Sequence, residues 1–174
     1  MKQISLLLLL VVFASSSVLA QNKVLSLDGD GDYVQIPASV WFHGDFTIEA
    51  WVYVKEYIPW SRLIDFGNGA DRDNVLVVLS KGTTGIPFLY IAKDRWMESS
   101  IDLELNSWTH IACTLKGNSG SLFINGHAAG KGNFDSPPRE VERQKNFIGR
   151  GNWKANTDSH AMFDEIKIWN VSRS

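Results

Sequence analysis

Beyond the first twenty residues, apolar and polar positions tend to alternate in short runs closed by Gly, Asn, Asp or Pro. A period of two places successive side chains on opposite faces of a strand, whereas a helix would repeat every three or four residues. Phe46 to Val54 shows it most clearly. Phe46, Ile48, Ala50, Val52 and Val54 share one face, and Thr47, Glu49, Trp51 and Tyr53 share the other. Trp108 to Lys116 alternates in the same way, with Thr109, Ile111, Cys113 and Leu115 on one side. Ser121 to Ile124 runs into Asn125-Gly126, a pair that readily takes the positive φ of a tight turn. Ile166 and Ile168 alternate with Lys167 and Trp169 near the end. Further strands are expected at Val24–Leu27, Tyr33–Ile36, Arg62–Phe66, Val75–Leu79, Phe88–Lys93 and Asn146–Gly149. Pro138–Gln144 is polar all round and reads as a loop. Ten to twelve short strands without a helix predict an all-β, two-sheet antiparallel sandwich or jelly roll.

The first twenty residues differ in kind. Lys2 precedes an apolar stretch from Ile4 to Ala14 broken only by Ser5, and Ser15 to Ala20 is a small-residue region with Val18 and Ala20 at −3 and −1. This is the layout of a secretory signal, too short to span a ~30 Å hydrocarbon core. Residues 1–20 are therefore expected to be removed, leaving residues 21–174 as a single domain outside the cytosol, with no membrane span and Gln21 at its start. Asn170-Val171-Ser172 is the one acceptor for N-glycosylation.

Charge adds little drive toward nucleic acid. The full chain carries 17 basic and 19 acidic residues, and no run of Lys or Arg forms a phosphate-binding patch. Seven Trp, four Tyr and nine Phe argue for a packed domain over a disordered one. The single cysteine, Cys113, forbids an intrachain disulfide and reads as a small buried hydrophobe.

Seven segments in register resemble the laminin G-like, or concanavalin A-like, jelly-roll domains of extracellular proteins. They are Leu27-Asp28-Gly29-Asp30-Gly31-Asp32-Tyr33-Val34, Phe46 to Val52, Leu63 to Gly69, Trp108 to Ala112, Leu122 to Gly126, Asn146 to Arg150, and Phe163 to Asn170. The resemblance implies two stacked antiparallel sheets across nearly all of residues 21–174. It implies no single activity, since such domains bind glycans, proteins or calcium, or serve as accessory modules.

The candidate chemistry is narrower. No Glu-x-Asp-x-Glu string offers the paired carboxylates of a glycosidase, and no Gly-x-Ser-x-Gly elbow offers a nucleophile, so no catalytic residues are assigned. Asp102-Leu103-Glu104 reads as part of a polar strand. Asp28-Gly29-Asp30-Gly31-Asp32 begins like an EF-hand loop but lacks Gly at position six and Glu at position twelve. It reads either as a glycine turn or as a calcium site formed by Asp28, Asp30 and Asp32. The resemblance adds Asp164 as a co-ligand, because first and last strands are commonly neighbours in such sandwiches. Asp71 and Asp73, in the loop Asn68 to Asn74, are the alternative metal site.

Aromatic faces stack on sugar rings while Asp, Asn and Arg bond their hydroxyls. Trp60, Trp96 and Trp153 stand in polar, turn-rich segments and suit such contact; Trp51, Trp108 and Trp169 stand inside strands and read as packing residues. The expected ligand rim comprises Trp153, Asn152, Arg150, Asp158, Asn68 and Trp60, by analogy with the family loop that lies near Asn68-Gly69. The favoured function is a secreted, non-catalytic module for a glycan. The alternatives are an extracellular protein-binding or adhesion domain, and a truncated accessory module of a larger enzyme or receptor.

Overall fold

In the computed structural model, residues 23–40, 42–92, 95–154 and 158–173 are described, and the expected leader lies outside them. The first half of the chain forms β1 (Leu25–Asp28), β2 (Val34–Ile36), β3 (Phe46–Val54), β4 (Arg62–Gly67), β5 (Val75–Val78) and β6 (Phe88–Ile91). The second half forms β7 (Trp96–Glu98), β8 (Trp108–Lys116), β9 (Ser119–Ile124), β10 (His127–Asn133), β11 (Lys145–Ile148) and β12 (His160–Trp169). They build two six-stranded sheets, ordered β1-β12-β3-β8-β9-β10 and β2-β11-β4-β5-β6-β7. All pairings between these strands are antiparallel, so the fold is the jelly-roll sandwich that the alternation predicts. None of the described residues belongs to a helix long and apolar enough to cross a membrane.

The core forms where the two inner faces meet. Phe46, Ile48, Ala50, Val52 and Val54 of β3 are buried, opposite Ile111, Cys113 and Leu115 of β8 and the inner residues Leu63, Ile64, Phe66, Val75 and Val77. Burial pushes the Cys113 thiol up to about 12, as suits an inert packing group. Gly149 ends β11 at φ +79°, where a Cβ would fall 2.0 Å from Leu27 Cδ1, so only glycine lets the chain turn against β1. Asn125 and Gly126 take positive φ as their pairing suggests, and join β9 to β10.

Three expectations need correction, and one strand, β10, was not marked by the sequence. β7 puts Trp96 in a strand, and β10 forms from a run containing Gly130 and Gly132 that has little β propensity. Its glycines are needed because β7 packs closely there: a Cβ on Gly130 would lie 2.5 Å from the Glu98 carbonyl oxygen. Asp102 and Glu104 lie outside the named strands, where buried Leu103 accepts the Tyr57 hydroxyl. Trp51, Trp108 and Trp169 are not core: they point outward with 39%, 38% and 37% of their surface exposed. Pro138–Gln144 is a loop, pinned by the buried Arg143, whose guanidinium donates to the carbonyls of Phe42 and Asp73.

Candidate functional site

β5 and β6 are buried on both faces, which alternation alone would not produce in a strand with a wetted side. The ladder registers explain it. Gln35, Phe147, Asp65, Leu76, Tyr90 and Trp96 pair in succession across the six strands of the second sheet. A second row joins Arg62, Val78, Phe88 and Glu98. A register shift between Arg62 and Ile64 lets Leu63 enter the core while Arg62 and Asp65 both stay on the outer face.

The loop between β11 and β12 folds over this face. It is pinched at its base by Ser159 N–H donating to Gly149 O, and Gly149 N–H donates to Leu63 O. Asp65 anchors it. Asn152 N–H reaches Asp65 Oδ2 at 2.8 Å, and the Asn152 and Asn74 side-chain amides each reach Oδ1 at 2.9 Å. Burial pushes the Asp65 carboxyl up, against the pull of these donors and of Arg62. Burial also lowers Arg62 to about 10, offset partly by Asp65, so the guanidinium stays charged at neutral pH.

With the loop anchored, Trp153 packs on Leu76, Val78, Phe88 and Tyr90. Its ring meets Tyr90 edge-on at 6.2 Å and lies over the Arg62 guanidinium at 5.7 Å. Trp60 approaches Phe88 at 6.1 Å, and Trp96 approaches the same ring at 6.4 Å. Trp60, Trp96 and Trp153, distant in sequence, thus surround a pocket of about 230 Å³ with Arg62, Leu76, Phe88 and Tyr90 as its floor and Asp71 and Lys81 at its rim. Trp96 is oriented by its indole N–H donating to Glu98 Oε1 at 2.6 Å, and the same oxygen takes Lys81 Nζ at 2.6 Å. That contact holds the Glu98 carboxyl below its ordinary range. On the far side of Trp153 lies a wider hollow of about 830 Å³, bordered by Gln35, Lys145, Phe147 and Asn152.

The expected ligand residues do not share one pocket. Trp153 and Trp60 line the aromatic pocket. Asn152 gives its backbone and side-chain N–H groups to Asp65 and Lys145 O, while its Oδ1 finds no partner among the described residues. Arg150 and Asp158 border the wider hollow but form a two-point ion pair, Asp158 also accepting Gly31 N–H and Arg150 stacking 3.6 Å over Tyr33. They brace the loop against the β1–β2 turn. Asn68 stands apart, donating to Glu142 O and accepting Gln144 N–H. Reasoning from sequence passed over Arg62, Asp65, Phe88, Tyr90 and Glu98. The available signal was Val75 to Val78 and Phe88 to Ile91, apolar at both parities and so covered on both sides.

Asp164, named as a co-ligand for calcium, stands apart from Asp28. Asp28 pairs with His160 and Asp164 lies four positions further along β12, about 13 Å away at strand rise. Asp28 Oδ1 accepts Asp30 N–H, closing the turn. In the alternative loop, burial would push the Asp73 carboxyl up, but Arg139 and Arg143 overcome it and hold it low, while Asp71 accepts the Tyr90 hydroxyl at 3.3 Å. Among the described residues, no three His, Cys, Asp or Glu side chains gather where they could hold a metal ion.

Two six-stranded antiparallel sheets packed face to face are the architecture of the concanavalin A-like class of domain. The chain belongs to the concanavalin A-like lectin/glucanases superfamily, whose laminin G-type model matches residues 28–174. No curated protein matches the sequence. Domain 4 of AbnA, a GH43 extracellular arabinanase from Geobacillus stearothermophilus solved with arabinotriose, is similar in structure: TM-score 0.71 and 17% identity, covering 89% of this chain and 74% of that one. A candidate carbohydrate binding protein from Bacteroides ovatus aligns at TM-score 0.64 and 15% identity, over 82% of this chain and 42% of its own. Trypanosoma rangeli sialidase aligns at TM-score 0.62 and 18% identity, over 87% of this chain and 26% of its own. The chain spans less than half of the latter two proteins. At such identities the likeness establishes the fold.

Proposed function

We propose that the protein is an exported, non-catalytic carbohydrate-binding module whose ligand occupies the outer face of the β2-β11-β4-β5-β6-β7 sheet. One observation supports this reading above others: Trp60, Trp96 and Trp153 converge on a single pocket with charged groups at its rim. Indole faces take the C–H side of a sugar ring, and Asp71, Lys81 and Arg62 are placed to bond its hydroxyls. A volume of about 230 Å³ suits one ring, and the wider hollow beyond Trp153 suits the units that follow. The chain end of an oligosaccharide is therefore the expected ligand. The arabinotriose held by the arabinanase domain makes arabino-oligosaccharides the first probes, followed by a broad glycan array.

Titration calorimetry tests the reading. Trp60→Ala, which removes a half-exposed ring, and Trp153→Ala should each weaken glycan binding about tenfold to a hundredfold, as central aromatic contacts do. An array without any bound glycan, or binding that ignores both substitutions, refutes the assignment of this pocket.

A further inference from the structure

A trough of about 480 Å³ lies on the outer face of the β1-β12-β3-β8-β9-β10 sheet. Ladder register builds it. Glu49, Ala112 and Phe123 stand side by side on β3, β8 and β9, so the smallest of the three forms a floor between two longer side chains. Along β8 the same face carries His110 at one end and Thr114, opposite Thr47, at the other. The segment after β12 closes the Thr47 end: Thr47 Oγ1 donates to Val171 O at 2.9 Å and accepts Arg173 N–H at 2.8 Å. That crossing brings the Arg173 side chain to the trough, its guanidinium 4.3 Å from the Trp169 ring and 3.4 Å from Glu49 Oε1.

The polar groups of this trough have bonding capacity that the fold does not use. Thr114 is 7% exposed, yet its hydroxyl has no hydrogen-bond partner among the described residues. Buried polar groups are ordinarily paired, so an occupant able to bond this hydroxyl removes a standing penalty. The backbone of His110 is locked by Asn125, whose Oδ1 accepts its N–H and whose own N–H donates to its carbonyl, each at 2.8 Å. The imidazole is held edge-on to Trp51 at 5.3 Å, and among the described residues neither ring nitrogen enters a hydrogen bond. Glu49 accepts the Trp169 indole N–H and the Arg173 guanidinium through Oε1. The two charged side chains that line the trough are thus paired with each other, and no net charge is left. Phe123, half-buried, supplies the apolar wall.

We propose that this trough is a second saccharide site, taking one unit of an uncharged sugar with its C–H side against Phe123 and its hydroxyls on Thr114, His110 and the Glu49–Arg173 pair. Each sugar hydroxyl both donates and accepts. The lining offers the matching set: a carboxylate that accepts, a guanidinium that donates, and a threonine hydroxyl able to do both. A charged ligand fits less well, because Glu49 and Arg173 already neutralise one another. An apolar side chain from a protein partner would leave the Thr114 hydroxyl as unpaired as before. The trough and the Trp60–Trp96–Trp153 pocket lie on the outer faces of different sheets, so this site does not rest on that assignment. With both occupied, one module joins two saccharide chains.

The test uses the full chain carrying Trp60→Ala, which weakens the other face, titrated with maltotetraose, cellotetraose, xylotetraose and arabinotetraose. At least one should bind. Thr114→Val keeps the shape of the side chain and removes its hydroxyl, so it should weaken that binding about threefold to tenfold while the melting temperature stays the same or rises. Phe123→Ala should weaken it about tenfold. In the unsubstituted protein the same sugar should shift the His110 and Thr114 amide resonances, a reading that needs no variant. Failure of all four sugars to bind overturns the proposal, as does affinity indifferent to Thr114→Val or a titration that leaves those resonances unmoved. So does tighter binding of a galacturonate or glucosamine tetramer than of the neutral sugars, or self-association of the protein that Phe123→Ala abolishes. Binding that responds to Trp153→Ala and ignores Thr114→Val belongs to the other face, so the two assignments fail separately.

Discussion

Asp65→Asn isolates the group that holds the binding loop in place. The substitution keeps the side chain's size and leaves Oδ1 to accept the Asn152 and Asn74 amides, at 2.9 Å each. In place of Oδ2 it sets an amide nitrogen against Asn152 N–H, which the wild-type oxygen takes at 2.8 Å. A hydrogen bond to a charged group contributes about 1.5–3 kcal/mol, and a buried donor left facing another donor costs about 1–3 kcal/mol. Arg62, 4.0 Å from Asp65 and 5% exposed, would also lose its counter-charge, while relief from burying a carboxylate offsets part of the loss. The net is a destabilisation of about 3 kcal/mol, or roughly 6–12 °C in melting temperature for a domain of this size. Hydrogen exchange at the Asn152 amide should accelerate sharply, because its acceptor is gone. Glycan affinity should fall with it, since Trp153 rides on the same loop. A variant that melts within about 2 °C of wild type and keeps Asn152 protected would refute the view that Asp65 anchors the loop.

Glycan affinity should weaken on acidification below the ordinary carboxylate range, as Glu98 protonates and releases Trp96 and Lys81. The sign follows from a carboxyl held low in the fold: its contribution is present above the unfolded value and is lost as pH falls through the folded one. Calorimetry across that range checks it, and a loss beginning near neutrality would point to another group. Addition of calcium or EDTA should leave the melting temperature unchanged, because Asp28 of β1 stands opposite His160, four positions along β12 from Asp164. A rise on the order of 5–10 °C with calcium would show that the acids move together to bind it. Gly149→Ala should destabilise by about 2–4 kcal/mol in denaturant titration, combining positive φ with overlap on Leu27; a neutral result would mean that β1 can shift to make room.

Much of the sandwich was legible in the chain itself. The alternation of Phe46 to Val54 and Trp108 to Lys116 named the inner face of β3 and β8 residue by residue, and Asn125-Gly126 marked the hairpin. Those signals are local: a period of two and a turn residue are properties of a few neighbours. Alternation states that a strand has two faces, but not what covers the outer one. For that reason Trp51 and Trp108 read as packing residues although they face outward, while Arg62 and Asp65 are buried only because a loop some ninety residues later folds over them. The candidate pocket was visible as three tryptophans in turn-rich segments, yet nothing in their spacing joined Trp60, Trp96 and Trp153 to Phe88 and Tyr90. The ladder registers made that junction. Pairing between distant strands is fixed by how all their inner faces fit one core, so the row from Gln35 to Trp96 exists only in the assembled sheet.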